Sequence, residues 1–141
     1  MAYITDGRIV PNFSLKEMTN TVAKDEIKLV LSPLVVEHAQ MMQELRDWYG
    51  KPLEVSSWYR TPRFNRLVAG ASNSAHLDGL ATDINNIPQS LFPSFVTAWQ
   101  VICSNHNKIG GCELYSWGMH FDSYSDKFGS TSFRLVDNRR K

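Results

Sequence analysis

At 141 residues, with 43% hydrophobic and 21% charged side chains, the chain has the make-up of one folded domain, and its four Trp, seven Phe and five Tyr exclude disorder over most of its length. Fifteen Lys and Arg against fourteen Asp and Glu leave a formal charge of +1, too small a basic excess for nucleic-acid binding through phosphates. No apolar run reaches the roughly 20 residues that cross a bilayer, and no basic stretch with an apolar core opens the sequence, so the expectation is a chain without membrane span or secretory signal, cytoplasmic when made.

Ser14-Leu15-Lys16-Glu17 reads as a capping box, with Ser14 as N-cap and Glu17 reaching back. Phe13 and Met18 are placed to form its hydrophobic staple, and Thr19-Asn20-Thr21 keeps the helix short. The strongest helix is Pro33–Tyr49, with Ser32 as N-cap, Pro33 in the first helical position and Gly50 as its stop. Leu34, His38, Met41, Leu45 and Trp48 share its apolar stripe. That placement makes His38 a helix-face histidine at the core edge rather than a ligand.

Residues 53–59 read as a strand, 62–68 as a short helix, 70–74 as a small-residue loop and 81–85 as a second strand. Residues 89–103 form the second long helix, with Phe92, Phe95, Val96, Trp99 and Ile102 inward and Pro93 tolerated in the first turn. Residues 109–115 and 118–123 read as a hairpin around Ser116-Trp117. Cys103 and Cys112 form no CxxC pair and read as partly buried thiols. The order predicts an α+β fold: a single domain over residues 1–141, its core at 13–136, an antiparallel sheet covered by helices, and a frayed tail at 137–141.

The chemistry concentrates in two segments. In residues 74–83 a histidine, His76, and a carboxylate, Asp83, stand seven positions apart among small residues, a spacing that needs a turn at Gly79. On the strand that follows, Asp83 shares a face with Ala81 and Asn85. In Gly118-Met119-His120-Phe121-Asp122, alternation puts His120 and Asp122 on one face and sends Met119 and Phe121 to the core. A two-residue loop at Ser116-Trp117 sets Glu113 opposite His120; a shift by one residue brings Tyr115 there instead.

Two imidazoles and one carboxylate, His76, Asp83 and His120, suit a catalytic zinc, which takes three protein ligands. A carboxylate beside the metal would act as the base. Glu113 is the first candidate and Asp122 the second, with the alternative that Asp122 orients His120.

The pattern Ser74-x-His76-x-x-Gly79-x-Ala81-x-Asp83, followed by a strand carrying His120, resembles the zinc D-Ala-D-Ala carboxypeptidase family, which includes bacterial cell-wall peptidases and phage endolysins and shares its fold with the Hedgehog signalling domain. Residues 55–62 with Asn65 are similar to the family's "SGYRSP…N" segment, and residues 13–17 to the opening of phage-borne members. The resemblance implies His76, Asp83 and His120 as zinc ligands, Arg60 as a contact for a substrate carboxylate and Ser74 as a hydrogen-bonding residue of the site loop.

Three features depart from the family pattern. Trp117 stands where many members carry an acidic residue three positions before the final histidine. Residues 110–115 with the later His-x-Asp resemble the branch reading "GGxGxY…HxD", in which the position of Glu113 is usually glycine. Trp58 replaces the usual glycine after Ser57, and the expectation is a narrower cleft near Arg60.

The implied activity is hydrolysis of a D,D or L,D amide in the peptide stem of peptidoglycan, by a lysin delivered on a phage particle or released through a holin. The alternative is a zinc-containing binding or structural module of the same fold without catalysis.

Overall fold

The computed structural model describes residues 8–20, 32–67, 75–124 and 132–139. A small hairpin, β1 (Arg8–Val10) and β2 (Phe13–Ser14), leads into α1 (Leu15–Met18). The capping box closes as the sequence predicts: the Ser14 N–H donates to Glu17 Oε1 at 3.0 Å, and the Glu17 N–H to Ser14 Oγ at 3.3 Å. Phe13 and Met18 are both buried.

Helix α2 (Pro33–Tyr49) has the predicted bounds. Ser32 Oγ accepts from the Val35 N–H, and the Gly50 N–H closes the far end on the Arg46 carbonyl. Its buried stripe is Val35, His38, Ala39, Met41, Met42 and Leu45. Leu34 and Trp48, predicted inward, are half exposed at 51% and 50%, because they sit at the helix ends, beyond the core. His38 lies in the core and not at its edge.

The remaining elements are β3 (Val55–Ser57), α3 (Pro62–Leu67), a 3-10 turn (Ala75–Asp78), β4 (Ala81–Ile84), a 3-10 turn (Gln89–Leu91), α4 (Phe92–Asn105), β5 (Gly111–Tyr115), β6 (Gly118–Asp122) and β7 (Arg134–Asp137). The five-stranded sheet has the order β3-β4-β6-β5-β7. The hairpin register is the one a Ser116-Trp117 loop sets, with Glu113 opposite His120.

The fold is α+β, with one correction to the sheet: β7 runs parallel to β5, so the sheet is mixed and not wholly antiparallel. The chain reverses after β6 but lands beyond β5, and a reversal that skips one strand leaves the newcomer parallel to the strand between. A second correction concerns the tail. Asp137 closes β7, the Asn138 N–H donates to the Leu114 carbonyl at 2.7 Å, and the Arg139 guanidinium lies over the Phe92 ring. These residues are docked rather than frayed; residues 140–141 lie outside the described set.

α2 and α4 pack on one face of the sheet. Phe95 and Trp99 of α4 meet Phe121 of β6, and His38 of α2 stands edge-on to Trp58 and Trp99. Both cysteines are buried and reduced, and burial pushes both thiols well above their ordinary range. Among the described residues no helix is long and apolar enough to cross a membrane.

Candidate metal centre

Strand pairing sets Ser57, Asp83, His120, Glu113 and Val136 in one rung across all five strands. Alternation directs Asp83, His120 and Asp122 to the face away from α2 and α4, while Thr82, Met119 and Phe121 enter the core. His76 arrives from the 3-10 turn that precedes β4. Gly79 ends that turn at φ +74°, a conformation that costs other residues strain.

The two histidines and Asp83 are buried, and one donor atom from each lies within 4.8 Å of the others. His76 Nε2 is 3.1 Å from Asp83 Oδ1, and His120 Nδ1 is 3.0 Å from the same oxygen. The outer ring nitrogens decide the tautomers. His76 Nδ1 is 2.6 Å from the Trp58 carbonyl, which can only accept, so this nitrogen carries the hydrogen. His120 Nε2 is 3.2 Å from Asp122 Oδ2 and donates to it.

In neutral imidazoles the inner nitrogens then present lone pairs toward a carboxylate oxygen. Three acceptors face one point, and a cation is what satisfies all three. With protein groups alone that cation is a proton. Burial disfavours the His120 imidazolium, but Asp122 and Asp83 outweigh burial and raise the group to about 10. Burial likewise works against ionised Asp83, and His76 and His120 overcome it, holding the carboxyl far below its usual range.

The donor set fits zinc. Ligand distances of about 2.0–2.2 Å place the ligands of a tetrahedral ion roughly 3.4 Å apart, close to the two separations at Asp83 Oδ1. Both imidazoles are also fixed from behind by acceptors, as metal-bound histidines usually are.

Arg60 reaches the same cluster. Its Nη2 donates to Asp83 Oδ2 at 3.3 Å, Nε to Ser57 Oγ at 3.2 Å and Nη1 to Asn65 Oδ1 at 3.4 Å. These bonds engage three of the five guanidinium N–H groups. Trp58 does not narrow the cleft beside it. The indole is fully buried against Phe13 and His38 and donates to the Gly79 carbonyl at 2.9 Å.

The two candidate bases differ in surroundings. Asp122 is buried and committed: Oδ1 takes Arg134 Nη2 at 2.5 Å and the Tyr124 N–H at 3.4 Å, while Oδ2 takes Arg134 Nη1 and His120 Nε2, both at 3.2 Å. Burial opposes its charge, and His120 and Arg134 together hold its carboxyl below the ordinary range. Glu113 is part-exposed. Its Oε1 accepts from the Tyr115 hydroxyl at 3.0 Å and Asn138 Nδ2 at 3.1 Å, and its Oε2 lies 3.9 Å from His120 Nε2.

Glu113, Tyr115, Ser116, Trp117 and Asn138 line a cleft of about 360 Å³ beside the centre. Trp117 stacks on Tyr115 and is 45% exposed.

The structure therefore brings together Arg60, His76, Asp83, Glu113, His120 and Asp122. Ser74 lies outside the described residues. Sequence reading missed the Trp58 carbonyl, Asn138 and Arg134. A backbone acceptor leaves no sequence signal, Asn138 belongs to the tail read as frayed, and Arg134 lies between the hairpin and that tail, where the sequence reading assigns no element.

A family model described as Peptidase M15 matches residues 11–116. The match takes in Arg60, His76, Asp83 and Glu113 and stops just before the strand of His120 and Asp122. No curated protein matches the chain.

Proposed function

Since the chain belongs to the Peptidase M15 family, zinc D-Ala-D-Ala carboxypeptidase-like metallopeptidases, we propose that it hydrolyses an amide bond in the peptide stem of peptidoglycan, with His76, Asp83 and His120 as zinc ligands. The observation that carries this reading is the convergence of three buried acceptors, each fixed from behind, on one point. When bound, zinc polarises the scissile carbonyl and makes water acidic enough to lose a proton near neutral pH.

The chain's own residues supply the rest. Glu113 is the base. Tyr115 and Asn138 anchor its Oε1, leaving Oε2 to take a proton from water and return it to the departing amine as the C–N bond breaks. Asp122 is the orienting carboxylate, because its oxygens are already engaged by Arg134 and His120. Arg60 steadies Asp83 through one amino group and offers its remaining N–H donors to a substrate carboxylate.

The test is a digest of purified peptidoglycan by the zinc-loaded protein, read by mass spectrometry with His76→Ala alongside. A new stem-peptide fragment absent from the variant digest supports the reading and names the bond. Walls of both Gram types left intact despite bound zinc would reverse it in favour of a non-catalytic zinc module. Glu113→Gln is expected to lower kcat by about 10²–10⁴-fold with zinc retained. Asp122→Asn is expected to weaken zinc binding by roughly 10–100-fold.

A further inference from the structure

Two rungs from the ligand row, pairing sets Ala81, Asp122, Gly111 and Arg134 side by side. Arg134 and Asp122 are two strands apart, about 9.6 Å at the usual spacing. Too far for a direct neighbour contact, they meet because the residue between them is a glycine. A Cβ at Gly111 would stand 3.1 Å from Arg134 Cζ and 3.1 Å from its Cβ, in the path of the side chain. The guanidinium crosses Gly111 and grips both Asp122 oxygens, with Nη2 on Oδ1 and Nη1 on Oδ2. The same Oδ2 accepts from His120 Nε2.

We propose that Arg134 is a positioning residue of the metal centre: from β7, it fixes the Asp122 carboxylate against His120 Nε2, so that the His120 ring keeps its hydrogen there and presents Nδ1 to the metal. The inference rests on the reading of His76, Asp83 and His120 as ligands. A carboxylate on one flexible bond can rotate away from an imidazole; one clamped through both oxygens by a planar guanidinium cannot without breaking two charge-assisted bonds. Arg134 thus acts on the metal through Asp122 and then through His120. It is supplied by a strand that the family match does not reach.

The test is a double-mutant cycle read by zinc affinity in competition with a chromogenic chelator, and by ¹H–¹⁵N spectra of the zinc-loaded protein that follow solvent exchange of the His120 Nε2–H. Arg134→Gln is expected to weaken zinc binding by roughly 10-fold or more and to speed solvent exchange of the His120 Nε2–H in the zinc-loaded protein. In the Asp122→Asn background the same change is expected to add nothing. Leu135→Thr, an exposed neighbour on β7, serves as the strand control and is expected to bind zinc as the wild type does.

Unchanged zinc affinity and unchanged Nε2–H exchange in Arg134→Gln overturn the proposal, as does an equal loss in the Asp122→Asn background. Should Arg134→Gln fail to fold, Arg134→Lys decides. A point charge cannot hold both oxygens as the guanidinium does, so a several-fold loss supports the brace and wild-type affinity refutes it. A wild-type chain that takes up no zinc overturns the ligand reading itself, and the brace with it.

Discussion

Two buried histidines stand on opposite faces of the same pair of strands and behave in opposite ways. His38 projects from α2 to the core side of β4, and its ring nitrogens meet two hydroxyls, Ser123 Oγ at 2.8 Å and Thr82 Oγ1 at 2.9 Å. His120 projects to the other side and meets two carboxylates. Burial pulls the His38 imidazole down to about 3, whereas Asp122 and Asp83 overcome burial at His120 and raise it to about 10. Both side chains are hidden from water, so burial does not separate them. The partners do. A hydroxyl can donate or accept and adapts to a neutral ring. A carboxylate can only accept, and two of them around the His120 ring call for a positive charge. The acceptors around the imidazole, and not its burial, set the two rings apart.

The strongest way to break this contrast is to remove an imidazole from each face. His76→Ala or His120→Ala is expected to abolish zinc uptake and hydrolysis, a loss exceeding the roughly 10–100-fold that an outer partner costs, as checked by metal analysis and the peptidoglycan digest. His38→Ala leaves a cavity and two stranded hydroxyls, and is expected to cost roughly 2–5 kcal/mol in urea unfolding while the folded protein still binds zinc. Zinc lost as completely in His38→Ala as in His76→Ala would show that the two faces are not independent. Thr82→Val is a finer cut. It strips one partner from His38 and is expected to cost about 1–3 kcal/mol, with no change in metal stoichiometry.

The smallest effect belongs to a third histidine, at the surface. His106 binds Glu37 and Glu44, and Lys108 also reaches Glu37. Burial opposes the charged His106 ring, but Glu44 and Glu37 more than compensate and hold it above its ordinary range. The folded group therefore keeps its proton to higher pH than the unfolded one. Its contribution is complete below about pH 6.5 and fades as pH rises through the raised value. The stability gap between wild type and His106→Gln is expected to be no more than about 1 kcal/mol, and to close as unfolding is repeated at increasing pH. A gap that widens with pH would contradict the sign.

Much of this was legible in the sequence because it is local. Ser32, Pro33 and Gly50 bound α2, and a two-residue loop fixed Glu113 against His120. Residue type and alternation single out His76, Asp83 and His120 as a candidate set, and the family resemblance implies them as zinc ligands. What escaped was decided across long separations. Asp122 reads as an available base until Arg134 closes on it from twelve residues away. Trp58 reads as an obstruction in the cleft until packing with Phe13 and His38 turns it inward. Strand β7 carries too short and too exposed an apolar run for period-2 patterning to mark it.

The single rung that carries Ser57, Asp83, His120 and Glu113 has a consequence for biosynthesis. Its members emerge from the ribosome far apart in time, and long-range pairing is slow to form because a loop must close before any contact rewards it. On the proposed ligand set, a nascent chain that has displayed only His76 and Asp83 holds two of the three donors. The third ligand arrives with residue 120, and Arg134 follows it. On that reading the three donors come together only once β4 and β6 have paired in register.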